Sequence, residues 1–86
     1  MMPLEELRSL IQKAFPGDEV HLSSPMQDDN HFQLVVVSPR FAKLNMVQQH
    51  QLVYQAVGGA MQEAVHALAI RTFTPEQWAK AQQAGA

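Results

Sequence analysis

Residues 65–78 read Val-His-Ala-Leu-Ala-Ile-Arg-Thr-Phe-Thr-Pro-Glu-Gln-Trp, and this stretch decides the fold of the 86-residue chain. Its apolar run with few charges predicts a strand that is buried on at least one face. Thr74-Pro75 then predicts the start of a helix. His66 stands at the beginning of the strand, where its ring nitrogens need hydrogen bonds, water or a metal. The search for a function therefore starts at His66.

Apolar periodicity predicts three elements upstream of this stretch. A helix that begins at Pro3 is indicated by apolar residues at three- and four-residue steps, namely Leu4, Leu7, Leu10, Ile11 and Ala14. Val20 and Leu22 alternate with polar residues, which predicts a half-buried edge strand. Residues 31–38 predict a second strand. Its apolar, β-branched run at 34–37 is typical of a central strand covered on both faces.

Two capping patterns predict the remaining long helices. Asn45 and Gln48 form a capping-box pattern that opens a second helix. One apolar face is predicted for that helix, lined by Val47, His50, Tyr54 and Val57 with Met46 and Val53 alongside. Thr74 and Gln77 repeat the capping pattern, so a last helix is expected to run to about residue 82, with Trp78 covering an end of the sheet.

The predicted order is helix-strand-strand-helix-helix-strand-helix, with a short fourth helix over 60–64 before the third strand. Strands joined by a loop pair antiparallel, whereas a helical crossover makes the second and third strands parallel. The sequence therefore predicts a single α+β domain over residues 1–86, with a three-stranded mixed sheet and the second strand in the middle. Because parallel neighbours begin at one edge, about 4.8 Å apart, His31 and His66 are expected at the same rim, beside the loop at 28–30.

Composition narrows the class of protein. The chain has a formal net charge of −2 and no cysteine, which excludes disulfides, a thiol nucleophile and a metal site built from its own cysteines alone. Its six Lys and Arg residues are scattered, unlike those of a protein whose main work is wrapping nucleic acid. No signal peptide or membrane span is visible, so we expect a cytoplasmic protein with no membrane association.

The sequence gives no support to an enzyme. Asp28 and Asp29 lack a partnering base at a defined spacing, and Ser38 lacks the glycines of a nucleophile elbow. No phosphate-binding loop is present either. We therefore expect a non-enzymatic protein.

Four segments of the chain together resemble the BolA-like protein family. These are residues 31–38 (His-Phe-Gln-Leu-Val-Val-Val-Ser), residues 47–54 (Val-Gln-Gln-His-Gln-Leu-Val-Tyr) preceded by Phe41, residues 65–70 (Val-His-Ala-Leu-Ala-Ile) and residues 74–78 (Thr-Pro-Glu-Gln-Trp). The similarity covers nearly the whole chain. The family fold resembles a class II KH domain, which agrees with the element order predicted above.

The resemblance implies a partner of monothiol glutaredoxins that acts in iron-sulfur cluster transfer or iron sensing. In such complexes a [2Fe-2S] cluster is shared: a glutaredoxin cysteine and a glutathione thiolate hold one iron, and the BolA-like partner supplies histidine. His66 matches the family's C-terminal histidine, and His31 matches the second ligand position, where members carry His or Cys. Imidazole is a competent iron ligand. The isolated chain is expected to be a monomer or homodimer without a cofactor.

The histidines also have ordinary structural interpretations. From periodicity alone, His66 is a strand-end histidine bonded to backbone or water, and His31 is an exposed loop residue beside acidic neighbours. His50 is predicted to be packed or hydrogen-bonded on the second helix, and His21 to be solvated on the edge strand. Neither His50 nor His21 is proposed as a ligand.

The alternative function is that of a KH-like transcriptional regulator that binds nucleic acid. Arg40, Lys43 and Arg71 would then form a small positive patch for phosphate, although the same patch suits glutathione carboxylates, a glutaredoxin surface or plain solvent. Residues 41–45 read Phe-Ala-Lys-Leu-Asn, where many family members have Phe-x-Gly-x-Ser. Because Ala42 takes a positive φ less freely than glycine, we expect only weak DNA binding.

Overall fold

The computed structural model describes residues 3–27, 31–58 and 67–84. The elements are α1 (Leu4–Ala14), β1 (Glu19–Ser23), β2 (His31–Val37), a 3₁₀ helix η1 (Pro39–Lys43), α2 (Met46–Val57), β3 (Ala67–Phe73) and α3 (Pro75–Ala84). The helix predicted over 60–64, the loop at 28–30 and the predicted strand start at Val65 lie outside the described residues. Within the described ranges, no helix is long and apolar enough to cross a membrane.

The sheet has the predicted topology. The strand order is β1-β2-β3, with β1 antiparallel and β3 parallel to the central strand β2. In the parallel pair, His31 lies opposite Ala67 and Val37 opposite Phe73. The α+β class and the three-stranded mixed sheet are thus confirmed.

The core lies on one face of this sheet, beneath α1 and α2. Its members alternate along β2 and recur at helical spacing on the two helices: Phe32, Leu34 and Val36 from β2, Leu7 and Ile11 from α1, and Val53 and Val57 from α2. Each of these side chains is at most 3% exposed. Burial of an aliphatic or aromatic side chain stabilises a fold by roughly 1.5–3 kcal/mol, so this layer holds both helices against the sheet.

The prediction that 34–37 is covered on both faces is wrong. On the side away from the core, Gln33 is exposed and Val35 is only half-buried. Val37 is buried, and it lies at the end of the strand where Trp78 of α3 lines the same cavity. The β-branched run therefore reflects strand propensity and one covered end. We call this side the open face of the sheet; its residues are His21, Ser23, Gln33, Val35, Ala69 and Arg71, which are neighbours in the strand register.

The predicted apolar face of α2 is confirmed at Val57 and Val53 but is wrong at Val47 and Tyr54. Val47 is 66% exposed and Tyr54 44% exposed, whereas the buried stripe contains Val53 and Val57. The polar side chain of Gln49 accounts for the difference. It continues this stripe one turn toward the start of the helix, where its amide contacts η1 and β3.

Gln49 ties three elements together through hydrogen bonds. Its Nε2 donates to the carbonyl oxygens of Phe41 at 3.2 Å and Leu44 at 2.9 Å. Its Oε1 accepts from the Thr72 hydroxyl at 2.5 Å. A polar residue therefore occupies a position that periodicity would assign to an apolar one.

Both capping predictions are confirmed. The Asn45 side chain accepts from the Gln48 backbone N–H, and the Gln48 side chain accepts from the Asn45 N–H. Thr74 and Gln77 make the same reciprocal pair at the start of α3. The last helix continues to Ala84, two residues beyond the predicted end.

Gln49→Ala is expected to lower the free energy of unfolding by about 1–3 kcal/mol, because it removes the side-chain donor to the Leu44 carbonyl, one of two donors to the Phe41 carbonyl, and the acceptor of the Thr72 hydroxyl. Urea unfolding followed by far-ultraviolet circular dichroism measures the loss. Gln51→Ala is the matched control, since Gln51 is exposed on the same helix, and should change the value by no more than about 0.5 kcal/mol. Equal effects of the two substitutions would contradict the role of Gln49.

Candidate functional site

His31 is the first residue of β2 and lies at one rim of the sheet. Its ring is half-buried, and its carbonyl oxygen accepts a hydrogen bond from the Ser24 hydroxyl at 3.2 Å. Its neighbour in the parallel ladder is Ala67, the residue that follows His66 in the sequence. His66 itself lies outside the described residues. This register brings the backbone of His31 next to the residue that follows His66, and the histidine pair stays a prediction.

The side chains available as metal ligands limit the kind of metal site that this rim can form. Among the residues that the structure describes, no three or more His, Asp or Glu side chains come together as a metal site, and the chain has no cysteine. A [2Fe-2S] cluster takes four ligands, usually thiolates, with two replaced by histidines in Rieske-type centres. His31 and His66 therefore fit the histidine share of a cluster held jointly with a partner, and not a complete site.

The open face carries a second collection of polar side chains. A shallow cavity of about 390 Å³ lies over it and is lined by His21 from β1, Gln33 from β2, Arg71 from β3 and Arg8 from α1. Sequence reasoning grouped Arg71 with Arg40 and Lys43 and missed Arg8 and His21. The strand register could have identified His21 as a neighbour of this group, because His21 and Arg71 both lie opposite Val35.

An aromatic cluster closes one end of the open face. Trp78 lies with its ring centroid 5.1 Å from that of Phe73 and 5.4 Å from that of His21. Its indole N–H donates to Glu19 Oε2 at 3.1 Å, and the same oxygen is hydrogen-bonded to His21 Nε2. Trp78 therefore covers an end of the sheet, as predicted. His21 is exposed, which confirms its prediction as a solvated residue of the edge strand, and it also contacts Glu19 and Trp78.

The three basic residues of the predicted nucleic-acid patch have different neighbours. Arg40 donates from Nη1 to the carbonyl oxygen of Ala14 at 3.0 Å, and its guanidinium carbon lies 5.0 Å from the Phe15 ring centroid. The Arg71 guanidinium lies 5.2 Å from the centroid of the Phe73 ring. Lys43 is exposed at the end of η1. Among the described residues, Arg40, Lys43 and Arg71 have no partner in common and do not contact one another.

The connector between β2 and α2 folds without a glycine. Residues 39–43 form η1, capped by the Ser38 side chain, which accepts from the Arg40 N–H at 3.2 Å. Among the described non-glycine residues, positive φ occurs at Gln27 alone. Ala42 is therefore compatible with this turn.

Comparisons with known proteins agree on one family. The family model described as "BolA-like protein" matches residues 11–77. "DNA-binding transcriptional regulator BolA" of Haemophilus influenzae is 42% identical over 62 residues, which are 71% of this chain and 60% of that protein. The Vibrio cholerae protein of the same name is 34% identical over 92% of this chain and 74% of its own length. The match thus spans less than two thirds of the H. influenzae protein.

A solved structure supports the same relationship. The BolA protein homologue from Coxiella burnetii is 30% identical, with a TM-score of 0.76 over 92% of this chain and 99% of that one. Because the superposition covers nearly the whole of the solved chain, the two structures agree in their helices as well as in the sheet.

Arg40→Ala is expected to lower the free energy of unfolding by about 0.5–1.5 kcal/mol, because it removes the hydrogen bond between η1 and the end of α1. Lys43→Ala, on the same 3₁₀ helix, is the control and should stay within about 0.5 kcal/mol. Thermal and urea unfolding of both variants measure the difference. An Arg40→Ala protein as stable as the parent would show that the guanidinium has no structural role.

Proposed function

Because this chain belongs to the BolA-like protein family, we propose that it is a non-enzymatic partner of monothiol glutaredoxins. It co-ligates a shared [2Fe-2S] cluster through His31 and His66, in cluster transfer or iron sensing. The observation that carries the proposal is the register of the parallel strands, in which His31 lies opposite the residue after His66.

The geometry of a parallel ladder supports this assignment. Neighbouring strands lie about 4.8 Å apart, and His31 opens β2 at the rim where β3 also begins. The His31 residue is half-buried, so part of it faces solvent. Its backbone is held by the hydrogen bond from the Ser24 hydroxyl. Two histidines that start from neighbouring backbone positions at one rim of a hydrogen-bonded sheet would favour a defined ligand geometry.

The donor set supports a shared rather than a resident cluster. The chain brings imidazole and no thiolate, so the sulfur ligands come from the glutaredoxin and from glutathione. When bound, the cluster supplies one-electron chemistry, at a potential raised by histidine relative to all-thiolate ligation. This chain contributes the orientation of the two imidazoles, because β2 and β3 are hydrogen-bonded to each other and held over the core.

Visible circular dichroism of a cluster-loaded monothiol glutaredoxin with glutathione, titrated with this protein, tests the proposal. We expect a new spectrum that saturates at equimolar protein. His66→Ala should abolish the change, and His31→Ala should alter or weaken it.

His50→Ala is the matched control, because His50 is also a half-buried histidine but lies on α2. Its titration should follow that of the parent protein. An unchanged glutaredoxin spectrum in the parent mixture would contradict the proposal, and equal losses with His50→Ala and His66→Ala would show that the loss is not specific to the ligands.

A second candidate function is nucleic-acid binding in transcriptional regulation. It is favoured by the names of the relatives from H. influenzae and V. cholerae, which are called DNA-binding transcriptional regulators. The three predicted basic residues, Arg40, Lys43 and Arg71, are all exposed, but Arg40 already donates a hydrogen bond to the end of α1. With a net charge of −2, the chain suits weak rather than extensive phosphate contact.

The salt dependence of binding to a double-stranded oligonucleotide tests this second function. Genuine phosphate contacts make log affinity fall linearly with log salt, and removal of one contact reduces the slope by about 1. Lys43→Ala and Arg71→Ala should each flatten the slope by that amount, while Lys13→Ala, on α1, should not. Parallel lines for all four proteins would exclude Lys43 and Arg71 as phosphate contacts.

A further inference from the structure

The cavity over the open face has features that the cluster-binding rim does not use. Its lining residues include Arg8, Arg71 and His21 together with Val35 and Ala69. We propose that it binds a small phosphate monoester that carries a flat ring, such as a nucleoside monophosphate. This site is separate from the proposed glutaredoxin function and does not depend on it.

The charges around the cavity suit an anion. Arg8 comes from α1 and Arg71 from β3, so the two cations reach the cavity from different elements. No carboxylate is among the described residues that line it. This local excess of positive charge stands out in a chain whose net charge is −2.

Two acids next to the cavity, Glu19 and Glu5, pair with residues that line it. Glu19 accepts hydrogen bonds from Trp78 and pairs with His21 at the aromatic end of the open face. Glu5 lies 3.6 Å from Arg8 Nε, one helical turn away, with its side chain 80% exposed. Exposed pairs of this kind contribute little, so Glu5 is a weak competitor for a bound oxyanion.

The Arg8 guanidinium can accept a further partner. Its Nε makes no hydrogen bond to the described residues, and Glu5 Oε1 lies 3.6 Å from it. A phosphate oxygen in the adjoining cavity would give this guanidinium a charge-assisted hydrogen bond.

The number of cations selects the type of phosphate. Two guanidinium groups match the nearly two negative charges of a monoester at neutral pH, whereas a diester carries a single charge. Arginine forks also match the planar spread of phosphate oxygens better than an ammonium group does. The open face should therefore prefer a monoester to the diester linkage of a nucleic acid.

The rest of the cavity suits a flat organic group. Val35 and Ala69 offer apolar surface beside the polar side chains of Ser23 and Gln33. The volume of about 390 Å³ falls within the range of pockets for small ligands, roughly 300–1,000 Å³. A ring that covers Val35 and Ala69 while Gln33 bonds its edge would add affinity beyond the phosphate alone.

The test is a titration of the full ¹⁵N-labelled chain with AMP, followed by NMR in a phosphate-free buffer of low ionic strength. We expect saturable shifts of the Gln33, Val35 and Ala69 amides. Inorganic phosphate, adenosine and cyclic AMP serve as comparison probes, and each should bind at least about fivefold more weakly because it lacks the ring, the charge or the second charge. The single tryptophan, Trp78, gives an independent fluorescence readout, since its ring touches His21.

Arg8→Gln and Arg71→Gln should each weaken AMP binding by about tenfold or more, as expected for loss of a charge-assisted hydrogen bond. Lys13→Gln removes the same charge from α1 outside the cavity and should leave the affinity unchanged. The spectra themselves report whether each variant is folded. Absence of shifts at millimolar AMP, equal binding of cyclic AMP, or equal losses for Lys13→Gln and Arg8→Gln would overturn the proposal.

Discussion

The central strand β2 buries Phe32, Leu34 and Val36 against α1 and α2 while it hydrogen-bonds to a neighbouring strand on each side. This one-sided burial fixes the register, because a slip of one residue would turn every apolar side chain of the strand toward water. The same register sets His31 opposite Ala67 and aligns the open face. Both candidate sites therefore depend on how β2 is packed, although neither uses a core side chain.

Much of the fold follows from local signals that act over a few residues. Alternation in β1 and apolar periodicity in α1 mark the side chains that face the core, and the two reciprocal caps, at Asn45 and Thr74, are contacts within one turn. The failures arise where tertiary contacts decide. Val35 has high strand propensity whether or not a helix covers it, and Gln49 occupies a core-facing position because carbonyls of η1 need its donor.

The candidate sites were predictable to different degrees for the same reason. His31 could be placed at a rim because strand pairing rules specify where parallel strands begin. Arg40, by contrast, reads as a free surface cation in the sequence, yet it bonds to the end of α1, 26 residues away. The pairing of Arg8 with Arg71 around one cavity was equally hidden, since it joins a helix near the start of the chain to the last strand.

The parallel pairing of β2 with β3 also affects the order in which the sheet forms during folding. Its partners are 36 residues apart, as His31 and Ala67 show, whereas the nearest partners of the β1–β2 hairpin, Ser23 and Gln33, are separated by only 10. Loop closure makes the longer connection costlier by about 1 kcal/mol, so we expect the hairpin to form before β3 docks. A ligand that contacts both the hairpin and β3 binds only the fully folded sheet. Such a ligand would hold together the strand pair that we expect to form last, and it would raise the free energy of unfolding by an amount that grows with the ratio of its concentration to its Kd.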